Sequence, residues 1–311
     1  NFTAAQDTYN TALGYNAGGA VTTGIENTII GAAAGHALTG GGYSGDTRQG
    51  GADYNVAVGK AALSSDTKGN QSVAVGANAL QTQNHTSSTN ALNTAVGYYA
   101  GQAVTTGTHN TIIGGLAGDA ITDGAQNVVV GYEALTAGIS SYYNTAIGYE
   151  ALKTDTTGRH NLAIGRKVMY SQNNTNSDNM YNTCVGHSSS YYNVTGTANT
   201  CLGYAAGHGA SAQSHSSNTF IGYSAGYAIT TGTSNTYVGI SAGQATTSGA
   251  NNLFLGKDAG RTGSPGGNLT TQSNIIVLGD ENITASNIQV DWTIASDERD
   301  KTDFTALDLG L

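Results

Sequence analysis

Apolar side chains occur along this chain in small groups closed by a glycine, and the groups recur. Between positions 93 and 165 one unit is written five times: Asn93-Thr-Ala-Val-Gly97, Asn110-Thr-Ile-Ile-Gly114, Asn127-Val-Val-Val-Gly131, Asn144-Thr-Ala-Ile-Gly148 and Asn161-Leu-Ala-Ile-Gly165, each starting 17 residues after the last. Three residues between an Asn and a Gly make a short strand, and a fixed period of this size means one supersecondary unit stacked on copies of itself. Extra residues between copies then loop out without disturbing the stack.

Extended in both directions, the closing glycine falls at Gly14, Gly31, Gly59, Gly76, Gly97, Gly114, Gly131, Gly148, Gly165, Gly186, Gly203, Gly222, Gly239, Gly256 and Gly279, which makes fifteen rungs. Nine of the fourteen intervals are 17 residues and the others are longer, as insertions at a permissive corner require. The residue before each closing glycine is always Val, Ile or Leu, such as Leu13, Ile30, Val58 and Leu255, and is expected to point inward. The middle residue of the unit then lies on the opposite face. A second short strand is expected around the Ala three positions past the glycine, and a second corner at Gly24, Gly69, Gly107 and their equivalents, where glycine supplies positive φ. The predicted fold class is all-β: a parallel β-roll or β-helix solenoid of about fifteen rungs with a 17-residue repeat, roughly 70 Å long at ~4.8 Å per rung.

Composition sharpens this picture. With 45 glycines, one proline, 10% charged and 7% aromatic residues in 311, large core side chains are scarce, and association with other copies is the physical remedy for so thin an interior. The middle residue of the unit changes from Ala12, Ala57 and Ala74 to Cys184 and Cys201 and then to Phe220, Tyr237 and Phe254. That face is expected to meet symmetry-related copies in a parallel homotrimer, with the bulky residues locking one end. A net charge of −9 with 11 Lys and Arg lacks the electrostatic footprint of a nucleic-acid binder. No run of 18 apolar residues predicts insertion into a membrane. The opening at Asn1, with neither Met nor an apolar leader, reads as a fragment or processed product.

Candidate chemistry is sparse. Cys184 and Cys201 occupy one slot of neighbouring rungs and are expected to stack as buried thiols, with a disulfide the lesser reading; they make no metal site, and no cofactor is predicted. Asn heads thirteen rungs, and its side chains are expected to form a ladder along the stack. The insertions at 36–53, 81–92, 170–181, 208–217 and 261–273 are natural recognition loops. A second candidate is the residue after the closing glycine, which is tyrosine at Tyr15, Tyr98, Tyr132, Tyr149, Tyr204 and Tyr223. Such a row suits sugars, although packing at a corner or subunit seam explains it equally simply. His36, His85, His187 and His208 read as solvated loop residues. Catalytic templates mostly fail, for no paired carboxylates recur and no nucleophile elbow appears.

The units Ser72-Val-Ala-Val-Gly76 and Asn144-Thr-Ala-Ile-Gly148 resemble the repeats of trimeric autotransporter adhesin heads over roughly residues 9–280. The resemblance implies a β-roll assembled as a trimer, although the period of 17 is longer than is typical of those heads.

Past Gly279 the period stops, a transition segment (281–295) carries the only Trp, Trp292, and charge then clusters in Ala295-Ser296-Asp297-Glu298-Arg299-Asp300-Lys301. Taken alone, this string is compatible with a helix N-cap at Ser296 or Asp297. It also resembles the opening of the C-terminal intramolecular chaperone of endosialidase-type phage tail spikes and fibres. The resemblance implies that the segment from 296 to 311 is the truncated start of a domain that assembles the trimer and then releases itself. Ser296 would be the nucleophile, Lys301 its activator and Asp297 a supporting carboxylate, with the cut after Ala295. That would be a single maturation step and not an enzyme activity with turnover. The expected protein is a structural and receptor-binding fibre of a bacteriophage tail, extracellular on the virion, in contact with other tail or baseplate proteins and with a host-surface glycan or protein. The alternatives are a bacterial trimeric adhesin head on the cell surface and a tail spike that degrades polysaccharide.

Overall fold

The computed structural model describes residues 8–40, 51–176 and 179–286. Fifteen three-residue strands, from Thr11–Leu13 to Ile276–Leu278, pair in chain order into one parallel sheet, and Gly69–Asn70 pairs with Thr89–Asn90 in a second. No helix occurs among the described residues. Register follows the repeat: Thr145, Ala146 and Ile147 lie opposite Leu162, Ala163 and Ile164. The chain is therefore an all-β solenoid of about 14 turns.

The facing of the strands is the reverse of the expectation. The middle residue of each unit is buried, with Ala57, Ala146, Phe220 and Tyr237 all at 0% exposure, whereas the residue before the closing glycine is half-buried or exposed, reaching 67% at Leu13. The physical reason is width. A coil this narrow holds one side chain from the strand, so at many rungs only Ala fits, and the larger aliphatics stand outside.

At six rungs the inward residue is complemented in size by the residue four positions beyond the closing glycine. Ala57, Ala74 and Ala146 are matched by Leu63, Leu80 and Leu152, while Phe220, Tyr237 and Phe254 are matched by Gly226, Gly243 and Gly260. A Cβ at Gly226 would lie 2.8 Å from Phe220 Cδ1, and one at Gly243 2.3 Å from Tyr237 Cδ2. The bulky residues thus fill their own coils to the close packing of a protein interior and do not lock a trimer. Cys184 and Cys201 lie opposite one another in this column as buried, free thiols.

The Asn ladder is present, and its partners are mainly backbone. Asn127 Oδ1 accepts the N–H of Asn144 at 3.0 Å in the next coil, while Nδ2 donates to the carbonyl of Ser141 at 2.7 Å and to Asn110 Oδ1 at 3.0 Å. Asn93, Asn110, Asn218 and Asn235 donate likewise to the carbonyls of Gly107, Gly124, Gly232 and Gly249. The second-corner glycines do not adopt positive φ. They are needed because coils approach closely there: a Cβ at Gly107 would sit 2.3 Å from the carbonyl oxygen of Gly124.

No second strand follows the closing glycine. A turn takes its place, left-handed at its second and fourth residues, as at Glu133 (φ 52°) and Leu135 (φ 47°). The Ala33 N–H reaches the carbonyl of Tyr15 in the coil below, the Ala34 N–H turns back to Gly31 in its own coil, and the Gly35 N–H reaches Ala62 in the coil above. Coil-to-coil bonding therefore continues through the turn and holds conformations that cost an isolated L-residue about 1 kcal/mol or more.

Longer coils are anchored by the coil below. Seven residues past their closing glycines stand Asp66, Asp155 and Asn193, where other rungs place apolar residues such as Val104 and Ile121. Asp66 Oδ1 accepts from the N–H groups of Gly69 and of His85 in the lengthened coil above, at 3.0 and 2.9 Å. Asp155 repeats this with Gly158 and Asn174, and Asn193 with Gly196 and His215. Gln83 Nε2 also donates to Asp66 Oδ2 at 2.6 Å, but no such bond closes at Asp155, whose Oδ2 is unpaired, as is Gln172 Nε2.

Burial raises the Asp155 carboxyl to about 6 against the opposing pull of the Asn174, Gly158 and Thr157 N–H groups. A raised carboxyl pKa means that the folded chain holds its proton more tightly than the unfolded chain does, so stability falls as pH climbs from about 4 to about 6 and stays lower above. Asp155→Asn keeps an acceptor for the Gly158 and Asn174 N–H groups and carries no charge. Thermal melts should show the variant more stable than the parent at pH 7, by up to about 3 kcal/mol, with the gap closing near pH 4.

Candidate functional site

The six tyrosines after the closing glycine all lie on the surface, from 44% exposed at Tyr149 to 86% at Tyr15. Four belong to one continuous column. Tyr132 stacks on Tyr149 at 5.8 Å, the Arg166 guanidinium lies 5.6 Å over the Tyr149 ring, and Arg166 Nη1 meets His187 Nε2 at 2.8 Å. His187 then stacks on Tyr204 at 5.2 Å and Tyr204 on Tyr223 at 5.0 Å. Tyr15 stands apart from this column, and Tyr98 is separated from Tyr132 by Gly115 and packs edge-on against Tyr99 at 4.3 Å.

A second column, which sequence reasoning missed, runs four residues further along each coil. Tyr170 stacks on Tyr191 at 5.0 Å, Tyr191 on His208 at 5.4 Å and His208 on Tyr227 at 4.7 Å. The signal was available, because each of these residues is fifth after a closing glycine. A third column, Tyr143, His160 and Tyr181, lies on the far side of the strands, five residues before the closing glycines.

Glu133, Glu150 and Lys167, two places after the closing glycine, and Lys153, five places after it, join the first two columns into one face. Lys153 Nζ is 2.5 Å from both Glu133 Oε2 and Glu150 Oε1, Lys167 Nζ is 3.2 Å from Glu150 Oε2, and both lysines lie over the Tyr170 ring at 5.8 and 5.3 Å. Hydrogen bonds to Glu133 and Glu150 keep Lys153 charged well beyond the usual lysine range. Within the columns, most ring faces are covered by the next ring. Outward they present ring edges and phenol hydroxyls, so this face is equipped for hydrogen bonding and charge pairing more than for flat stacking of a sugar.

Most of the histidines are not solvated. His85 is 5% exposed, and burial lowers its pKa despite nearby Asp66. His187 and His208 stand half-buried in the columns, and of the four histidines read as solvated His36 keeps an open surface position. His215, buried with Nε2 3.1 Å from the Gly207 carbonyl, is pushed down to about 4 by that burial. Among the described residues no group of three or more His, Cys, Asp and Glu could hold a metal ion, and no helix is long and apolar enough to cross a membrane. Ser296, Asp297 and Lys301 lie outside the described residues.

Neither the models of known protein families nor the curated proteins match this chain. A rigid rod with laddered aromatic and charged faces has the form of a scaffold that displays side chains at fixed intervals.

Proposed function

We propose that this chain is a structural and receptor-binding fibre of a bacteriophage tail, assembled as a parallel homotrimer and carried on the virion. The observation that carries the assembly is the outer face of the sheet. From Leu13 to Leu278 every residue before a closing glycine is Val, Ile or Leu, and the row beside it, from Thr11 to Ile276, holds only Thr, Val, Leu and Ile. Those two rows form an uncharged strip about 70 Å by 10 Å, roughly 700 Å². The row before the glycines is wholly aliphatic, and an apolar line continuous over such a length marks an interaction site. The strip keeps one chemistry along the whole rod, which suits a parallel copy of the same rod. The seam thus falls on the face opposite to the one expected from the sequence.

The tail-fibre assignment is supported by the string at Ser296 and its resemblance to a self-releasing chaperone; a bacterial adhesin head shares the roll but not that string. Light scattering should give three times the chain mass of 31.4 kDa. Val96→Lys with Ile113→Lys, at positions 36% and 40% exposed in the single chain, should yield monomers with unchanged far-ultraviolet dichroism. A parent protein that is monomeric at micromolar concentration would contradict the assembly. Mass spectrometry of the particle-borne chain should find its last residue at Ala295, and an intact Ala295-Ser296 bond would remove the maturation step.

A further inference from the structure

The face built by the two aromatic columns between Tyr132 and Tyr227 has a charge pattern unlike that of the rest of the rod. The chain is acidic overall, with only 11 Lys and Arg, yet Lys153, Arg166 and Lys167 stand together on this face. Lys153 and Lys167 are neutralised by Glu133 and Glu150. Arg166 is different: it is exposed, its contacts are the Tyr149 ring and His187, and it forms no ion pair among the described residues. It leaves an uncompensated positive charge midway along the first column, with Tyr132 and Tyr149 on one side and His187, Tyr204 and Tyr223 on the other.

We propose that this face binds a carboxylated polysaccharide laid along the rod axis, with Arg166 pairing a sugar carboxylate and the flanking phenol hydroxyls bonding sugar hydroxyls. The proposal rests on the receptor-binding reading above and names the chemical class of the receptor. The repeated, in-line donors match a linear polymer. Closed ring faces favour hydrogen bonding at the edges over stacking, and a free guanidinium is suited to a planar carboxylate. A free cation isolated among these columns, on a rod of net charge −9, suits a polymer with widely spaced charges and disfavours the dense phosphates of nucleic acid.

The test measures binding of the full chain to immobilised alginate, polygalacturonate and hyaluronan, with dextran as the neutral control and single-stranded DNA as the competing polyanion, at 50 and 500 mM NaCl. Binding to at least one carboxylated polymer, little to dextran or DNA, and at least a tenfold weakening in high salt are expected. Arg166→Gln should weaken binding at least tenfold. Lys60→Gln, which removes an exposed cation of the same column outside the patch, should leave it unchanged, and both variants should melt like the parent. No binding to any of the three polymers, equal binding to dextran, tighter binding to DNA, or an Arg166→Gln variant that binds normally overturns the proposal. Labelled fibre that still adheres to host cells in that event leaves the receptor-binding reading standing, whereas loss of both removes the two together.

Discussion

Gly131→Ala should destabilise the rod by at least about 3 kcal/mol. Gly131 has φ +133°, a conformation that is itself worth roughly 1–3 kcal/mol of strain for a residue with a side chain. A Cβ there would also lie 2.4 Å from the carbonyl oxygen of Gly148 and 2.7 Å from its carbon. Those are backbone atoms of the next coil, which is fixed by its own glycine against Gly165, so no rotamer change relieves the clash. Because each coil touches only its neighbours, the damage should divide the stack there, and limited proteolysis should cut near residue 131 before the rest unfolds. Gly267→Ala is the internal control. It too has positive φ, at +74°, but nothing lies within 4 Å of its Cβ, so the cost should be about 1 kcal/mol. Equal losses at the two sites, read by thermal melts, would mean that coil-to-coil contact is not what requires the glycine.

Phe220→Ala is expected to cost about 3–5 kcal/mol, and Gly226→Leu placed in the same chain should restore most of it. The first change empties a fully buried ring site and leaves a cavity. The second refills it from across the coil, as Leu63, Leu80 and Leu152 do opposite Ala57, Ala74 and Ala146. Gly226 has φ 62°, close to the 50° and 47° that Leu63 and Leu80 already adopt, so leucine is tolerated at this position of the turn. Gly226→Leu alone should be as harmful as the cavity, because its Cβ would press on the Phe220 ring. A double-mutant cycle measures the coupling, and additive losses would deny that the two positions share one volume.

The repeat, the parallel stacking and the Asn ladder were legible in the sequence because each depends on a spacing, and spacing survives without coordinates. Facing was not legible from a three-residue strand. In Val56-Ala57-Val58 the alternation reads equally well with Val inside or Ala inside, and side-chain size favours the wrong answer when the interior is too narrow for Val. The clue lay in a different part of the coil, in Gly226 and Gly243 standing where Leu63 and Leu80 stand elsewhere. The second strand failed for a related reason: left-handed Glu133 and Leu135 are not residues that advertise such a conformation, and the stack imposes it through hydrogen bonds to coils above and below. Of the candidate site, the tyrosines after the glycine were found and their neighbours were not. Arg166 and His187 complete the column between Tyr149 and Tyr204, and a search for tyrosine alone passes over them.

The most direct test of the stacked coil is a set of distances along its axis. Spin labels at Tyr98→Cys paired in turn with Tyr204→Cys, Tyr223→Cys and Ile240→Cys, in a Cys184→Ala, Cys201→Ala background diluted with unlabelled chain, span six, seven and eight coils. At ~4.8 Å per coil the separations should be about 29, 34 and 38 Å, rising by the same step whether 19 or 17 residues lie between the last two labels. Separations that do not increase by this constant step would contradict the solenoid and everything argued from it.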